Sequence, residues 1–204
     1  WLASYPKSGN TWMWFFIKSY FNPPNKKFSL NHDKDDPYLL ETFPTQKRFK
    51  QLNIKYDDFL DLSKNWINLQ SFINLNNKTN YLKTHNAMCT VNNNKFTDIK
   101  NTKGAIHIVR DPRDVLVSYS SYKNENINKT LEILLSDNSY EYASFEEKRY
   151  KRSLMGSWSS HYNSWKSYKS QETLLVKYED MVNKSNSTFL KVLNYLKKIN
   201  KIEV

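Results

Sequence analysis

The first dozen residues, Trp1-Leu-Ala-Ser-Tyr-Pro-Lys-Ser-Gly-Asn-Thr-Trp12, leave the chain a narrow choice of folds. A short apolar run over residues 1–5 reads as a buried strand. It ends in a tight loop at Pro6–Gly9, and a helical pattern over Thr11–Phe21 follows at once. In such a strand–loop–helix, backbone N–H groups and the positive end of a helix dipole converge on one point, which suits an anion with several oxygens. Lys7 adds a full charge inside the loop. The chain has only three glycines, so Gly9 in that loop points to a backbone conformation other residues resist.

The rest of the chain repeats the strand–helix alternation. Asn80–Thr84 reads as a strand with His85 just beyond it. Gly104–Val109 is an apolar, β-branched strand with Arg110 at its end. Asp111-Pro112 then opens a helix as N-cap and first helical residue, running to about Tyr122. Leu154–Tyr168 has helical spacing along Leu154, Trp158, His161, Tyr162, Trp165 and Tyr168, a stripe read as core. Thr173–Tyr178 reads as a further strand, and Ser185–Ile199 as a helix with Phe189, Val192, Leu193 and Leu196 inward. Asn22-Pro-Pro24 is expected to end the first helix, and 33–37 to form a turn. Residues 25–79 give little pattern beyond a short helix near Tyr56–Leu62, and are expected to be insertions over a cleft.

Strands alternating with helices predict an α/β fold, a three-layer parallel β-sheet flanked by helices. Ligands of such sheets bind at the carboxyl ends of the strands. That rule gathers Lys7, His85, Arg110 and Tyr178 on one edge. The loop is not Gly-x4-Gly-Lys-Ser/Thr, because the lysine precedes the glycine, and the strand ends offer no clear acidic partner for Mg²⁺. A phosphate-like group held by cations and N–H groups, with no metal, is the expectation; a Mg²⁺-dependent P-loop kinase is the rival.

Composition narrows the partners. The 204 residues, 39% hydrophobic and 15% aromatic, fit one globular domain spanning 1–204. The formal net charge of +11 is spread without a run of five or six basic residues, so neither nucleic acid nor a membrane surface is expected as partner. No stretch approaches the roughly 18–20 apolar residues of a membrane span, and none reads as a signal peptide, giving a cytoplasmic expectation. Cys89 is alone, which excludes an internal disulfide framework. The chain opens on Trp1 and straight into a strand, so the native N-terminus is expected to lie upstream.

Five motifs in order carry a resemblance. Tyr5-Pro-Lys-Ser-Gly-Asn-Thr-Trp12 resembles the 5′-phosphosulfate-binding loop of the sulfotransferases that use 3′-phosphoadenosine 5′-phosphosulfate (PAPS), in their cytosolic-type branch. Lys83-Thr-His85 resembles the strand end carrying the family's base. Arg110-Asp-Pro-Arg-Asp-Val-Leu-Val-Ser118 resembles its 3′-phosphate segment. Gly156-Ser-Trp158 with His161 and Trp165, and Tyr178-Glu-Asp180, match in order and rough spacing. The resemblance covers residues 1 to about 196 and implies the P-loop nucleotide-hydrolase-like fold of that family. It implies transfer of a sulfonate from PAPS to a hydroxyl or amine of a small acceptor (alcohol, phenol, amine or sugar), without a metal. It also implies roles: Lys7 on the leaving oxygen, His85 as base, Lys83 on the sulfonate; Ser8, Gly9, Asn10, Thr11 and Trp12 around the 5′-phosphate and adenine; Arg110 and Ser118 on the 3′-phosphate; Tyr178 on the adenine. Asn10 stands where many members have Thr. The family's basic segment that closes over the 3′-phosphate is expected beyond Val204. The alternative is a non-catalytic nucleotide- or polyanion-binding module on the same fold. His107 and His161 are read as structural, Glu179 and Asp180 as caps, and Arg113 as a solvent-side or ion-pairing residue.

Overall fold

The computed structural model describes residues 1–21, 39–76, 78–145, 148–169 and 171–200. Its centre is a parallel sheet of five strands: β1 (Leu2–Ser4), β2 (Leu39–Thr42), β3 (Asn80–Thr84), β6 (Gly104–Val109) and β9 (Glu172–Lys177), in the order β2-β3-β1-β6-β9. Between β3 and β6 lies a two-residue ladder of β4 (Thr90–Val91) and β5 (Asn94–Lys95). After β6 comes an antiparallel hairpin, β7 (Tyr140–Phe145) and β8 (Lys148–Leu154). The helices are α1 (Asn10–Phe21), α2 (Gln46–Gln51), α3 (Phe59–Lys64), α4 (Trp66–Asn74), α5 (Pro112–Lys123), α6 (Ile127–Leu135), α7 (Trp158–Lys166), α8 (Tyr178–Asn183) and α9 (Ser185–Asn200).

The alternation of side chains along each strand builds two cores. Leu2, Ile106, Ile108 and Val176 face one side, where Met13 and Ile17 of α1 and Val192, Tyr195 and Leu196 of α9 cover them. Ala3, Leu82 and Ala105 face the other, under Leu62, Trp66, Leu69 and Ile73 of α3 and α4 and Trp165 of α7. Small Ala3 and Ala105 on that side leave room for the two indoles. Each fully buried Leu, Ile or Met contributes about 1.5–3 kcal/mol by leaving water. A third cluster, Tyr5, Val115, Tyr119, Leu134 and Met155, fixes α5 and α6 to the carboxyl edge.

The predicted strands at 80–84 and 104–109 form as read, and α5 starts on Asp111, whose side chain accepts from Arg113 N at 2.9 Å. Several expectations need correction. Residues 25–79 are not all insertion: β2 is an edge strand of the sheet, and α3 and α4 supply much of the second core. The helix read over 154–168 starts at Trp158. Gly156 at φ +67° breaks the chain there, and the Ser157 hydroxyl caps by accepting from Ser160 N at 3.1 Å. Leu154 instead ends β8. The buried face of α1 is Met13 and Ile17, whereas Trp12 and Phe16 meet Phe189 of α9. Leu193 is only half-buried, and Tyr195 takes the inward place, with its hydroxyl donating to Glu172 O at 2.6 Å. Asn22–Pro24 and the turn at 33–37 lie outside the described residues.

Candidate active site

The parallel register puts four strand ends at one edge. Ala3 pairs with Thr84 and Ser4 with Ile108, so the loop after β1 lies between His85 and Arg110. Val109 pairs with Lys177, which sets Arg110 beside Tyr178. These ends, with the start of α1 and one side of α5, enclose a cleft of about 710 Å³. Lys7, Gly9, Asn10, Thr11, Trp12, Lys83, His85, Arg110, Ser118 and Tyr178 all line it. Of the donor-site and catalytic residues that the resemblance implies, Ser8 alone is not on the wall and is buried, 1% exposed. A recess of about 700 Å³ at the opposite edge, between Trp1, Thr79 and Lys103, has no histidine or carboxylate among the described residues of its wall.

The loop is held in a conformation that leaves its donors free. Lys7 and Gly9 both have positive φ, +66° and +93°. For Lys7 that costs about 1–2 kcal/mol, the kind of strain that marks a working loop. A Cβ on Gly9 would stand 2.6 Å from Cδ2 of Tyr178, so glycine is required by space as well as by φ. Gly9 O accepts the first helical bond of α1, from Met13 N at 3.1 Å. The N–H groups at the start of α1 therefore have no acceptor one turn back along the helix, and they open on the cleft.

Asn10 departs from its expected part. Its side chain is 3% exposed and turned into the sheet, where Nδ2 donates to Leu2 O at 3.0 Å and to Ser4 Oγ at 3.0 Å. What it offers an anion is its backbone N–H alone. Its amide pins the helix start to β1.

Three of the cations around the cleft, Lys7, Arg110 and Lys123, rest on aromatic faces. Lys7 Nζ lies 4.3 Å above the Tyr122 ring, and the Arg110 guanidinium 4.3 Å above Tyr178. Arg110 Nη1 also donates to Lys7 O at 3.0 Å. Its Nε is buried without a hydrogen-bond partner, 3.9 Å from Asp114, and the Ser8 hydroxyl is likewise buried and unpartnered. Two unsatisfied donors flanking one loop are what an anion's oxygens would complete. Trp12, 39% exposed, stands edge-on to Tyr178 and Phe189, at 6.2 and 5.7 Å between ring centres.

On the β3 side, Lys83 Nζ donates to Thr11 Oγ1 at 2.9 Å. Burial lowers the Lys83 pKa; the Glu141 carboxylate raises it, and Arg152 and Lys7 lower it further. His85 Nδ1 sits 2.7 Å from Ser4 O. A carbonyl only accepts, so Nδ1 carries the proton and Nε2 is the lone-pair nitrogen of neutral His85. The His85 pKa is lowered, first by burial; Glu141 and the bond to Ser4 O raise it, and Lys83 and Arg152 lower it. At neutral pH the imidazole is a free base.

Other parts of the site were not read from the sequence. Asn86 is buried: its Oδ1 accepts from Leu154 N at 2.8 Å and its backbone carbonyl from Trp165 Nε1 at 3.0 Å, tying the residue after His85 to β8 and α7. The hairpin brings Tyr140, Glu141, Tyr142 and Arg152 to the cleft wall. Alternation over 140–142 was the only signal for it. Glu179 does not cap its own helix but accepts from Asp111 N at 3.0 Å, steadying the start of α5. Arg113 is solvent-side and paired with Asp111, as read. His107 and His161 are buried among Tyr5, Tyr162 and Trp165.

Among the described residues no group of His, Cys, Asp and Glu is placed to hold a metal, and no helix is long and apolar enough to cross a membrane. The chain is similar to two curated mouse proteins, sulfotransferase 2A6 at 29% identity and sulfotransferase 2A2 at 28%. Each match runs over 199 residues, 97% of this chain and 58% of the relative. The chain thus spans little more than half the length of the relatives it matches. Its fold is similar to that of mouse sulfotransferase SULT7A1, solved in complex with PAP, with a TM-score of 0.53 and 22% identity over 100% of this chain and 57% of that one. A family model described as the sulfotransferase domain matches residues 1–203, and on that match the chain belongs to the sulfotransferase domain family.

Proposed function

We propose that the chain carries the donor site and the proton-transfer site of a sulfotransferase, moving a sulfonate from PAPS to a hydroxyl or amine of a small acceptor. One observation carries the reading: the loop at Lys7, the base at His85 and the cation at Arg110, far apart in sequence, open on one cleft at the carboxyl edge. The unpartnered Ser8 hydroxyl and Arg110 Nε fit the phosphates of such a donor.

The donor, when bound, supplies an activated sulfonate on a phosphate leaving group. The chain's own residues do the rest. Negative charge grows on the leaving oxygen as transfer proceeds, and fixed positive groups there lower the barrier more than they favour binding. Lys7 and the N–H groups of Gly9–Trp12 are placed for that. Ser8 helps hold the loop's anion, and Thr11 accepts from Lys83, tying that cation to the start of α1. Lys83 holds the sulfonate toward the acceptor. His85 Nε2 takes the acceptor's proton, and its Nδ1 stays anchored on Ser4 O, which keeps the ring in the base tautomer. Arg110 and Ser118 receive the 3′-phosphate, with Arg110 resting over the Tyr178 ring. Trp12 and Tyr178 form the wall for the adenine ring.

The test is a transfer assay with ³⁵S-PAPS over phenols, alcohols, amines and sugars, run beside calorimetry with adenosine 3′,5′-bisphosphate (PAP). Transfer that is lost in Lys7→Ala and in His85→Asn, with PAP binding kept in His85→Asn, supports the reading. PAP binding with no transfer to any acceptor would favour the non-catalytic module. No PAP affinity at all would sink both. Phosphoryl transfer from ATP that EDTA abolishes would point instead to a metal-dependent kinase.

A further inference from the structure

A carboxylate is an unexpected neighbour for a site that receives a polyanion. Lys7, Lys83, Arg110 and Arg152 suit an anionic donor, whereas Glu141 repels one, yet Glu141 lines the same cleft. Its placement is built. The register of the hairpin shifts between Glu141, paired with Ser153, and Tyr142, paired with Lys151, so that Arg152 is the extra residue of a β-bulge. A bulge re-aims side chains, and it lets Glu141 and Arg152 face the same side. Arg152 holds the carboxylate by its Nε at 3.2 Å and its Nη2 at 2.5 Å, and Ser153 Oγ donates to Oε2 at 3.3 Å. Burial pushes the Glu141 pKa up, but the charges of His85 and Arg152 and the bonds from Arg152 and Ser153 outweigh it and hold the carboxylate below its ordinary value.

We infer that Glu141 is the counter-charge of His85, a positioning residue whose carboxylate stabilises the imidazolium formed when His85 takes the acceptor's proton. The inference rests on the reading of His85 as base. Without Glu141, the new positive charge would form beside Lys83 and Arg152, and near Lys7, which acts on Lys83. The other groups that act on His85 are Ser4 O of β1 and His161 of α7, and burial keeps His161 neutral, so neither supplies a negative charge. Arg152 has the opposite electrostatic sense. It fixes the orientation of Glu141, but its own charge disfavours the imidazolium. The two members of one ion pair therefore act on His85 with opposite signs. A pair set too far from His85 to act on it would move its pKa in neither variant.

That opposition is the test, and it needs no turnover. The His85 Cε1–H resonance, identified by its loss in His85→Gln, is followed through a pH titration in about 0.1 M salt. Glu141→Gln should lower the His85 pKa by about one unit, and Arg152→Gln should raise it. With transfer activity in hand, the acid limb of the kcat/KM profile should move the same way in each variant. kcat of Glu141→Gln should fall up to about tenfold with KM for the acceptor little changed. A His85 pKa that stays within about 0.2 units in Glu141→Gln, or moves the same way in both variants, overturns the proposal. If Glu141→Gln does not fold, Arg152→Gln decides alone: an unchanged or lowered His85 pKa overturns it. A wild type that transfers nothing but shows the opposed shifts would refute the proposed function and leave the charge pairing standing.

Discussion

Gly9→Ala should damage both the fold and the donor site, and the structure sets the scale of each. At φ +93° an alanine pays about 1–2 kcal/mol for a left-handed backbone. Its Cβ would lie 2.6 Å from Cδ2 and 3.1 Å from Cε2 of Tyr178. Relief to ordinary contact moves the ring by nearly an ångström, and the ring carries the Arg110 guanidinium 4.3 Å above it. Arg110 in turn holds Lys7 O. One methyl group therefore displaces the loop and the cation together. A total loss of about 2 kcal/mol is expected, read as a shift of about 4–8 °C in Tm or as a lower urea midpoint. PAP affinity by calorimetry should fall at least about tenfold, or roughly 1.4 kcal/mol. Gly156→Ala is the control. It has the same backbone strain at φ +67° and a similar clash, 2.6 Å from Ser160 Oγ, but that glycine does not line the cleft. It should lose comparable stability and keep its PAP affinity. If Gly9→Ala binds PAP within twofold of wild type while unfolding earlier, the argument that couples loop, Tyr178 and Arg110 is wrong.

Asn10→Ala should destabilise by about 1–3 kcal/mol, since Ser4 Oγ and Leu2 O lose a buried donor, and denaturant unfolding measures it. Arg110→Met should cost PAP at least about tenfold in affinity and AMP, which lacks the 3′-phosphate, clearly less, namely the share that passes through the lost bond to Lys7 O; equal losses for both would contradict the assignment. Stability should decline as pH falls below 6.5. Burial holds His107 down to about 4 and His161 well below its ordinary value, so the unfolded chain takes up these protons first. Each contributes a slope of about 1.4 kcal/mol per pH unit, lasting for His107 down to about pH 4. Urea midpoints between pH 7.5 and 5 test this, and a flat profile would contradict it.

What the sequence made legible was set by local chemistry. Asp111-Pro112 carries its own capping bonds, Gly104–Val109 is apolar and β-branched from end to end, and the Pro6–Gly9 loop needs its glycine whatever surrounds it. Once a parallel sheet was inferred, the carboxyl-edge rule alone brought Lys7, His85, Arg110 and Tyr178 together, because parallel register fixes which ends align. What stayed hidden depends on distant partners. β2 is an edge strand recognisable only by its pairing with β3. The stripe on 154–168 was continuous at helical spacing, yet Gly156 divides it between a strand and a helix. Asn10 read as a phosphate donor because its neighbours are; only the closeness of β1 and β3 turns its amide inward. Glu141 and Arg152 sit eleven residues apart in an unremarkable charged stretch, and a one-residue bulge, invisible in composition, decides that they share a face.

The tyrosines explain how the cleft can keep its cations in place before any anion arrives. Lys7, Lys83, Arg110, Lys123 and Arg152 share one cleft, and with ordinary screening such neighbours repel. Three of them rest on ring faces: Lys7 on Tyr122, Arg110 on Tyr178 and Lys123 on Tyr119. Each such contact is worth about 0.5–1 kcal/mol where exposed and more where dry. Lys123 also pairs with Glu125, at 3.1 Å, and Arg152 with Glu141. A ring offers a negative face without a negative charge. It can therefore hold a lysine or arginine in position and leave the full charge available to an incoming phosphate, which a carboxylate partner would cancel. Carboxylate pairing is close at Lys123 and Arg152, whereas Asp114 stands off at 3.9 Å from Arg110 Nε. In this arrangement the ring-supported cations line the cleft where the proposed donor's anionic groups would lie, and Glu141 on the same wall is the counter-charge inferred for His85.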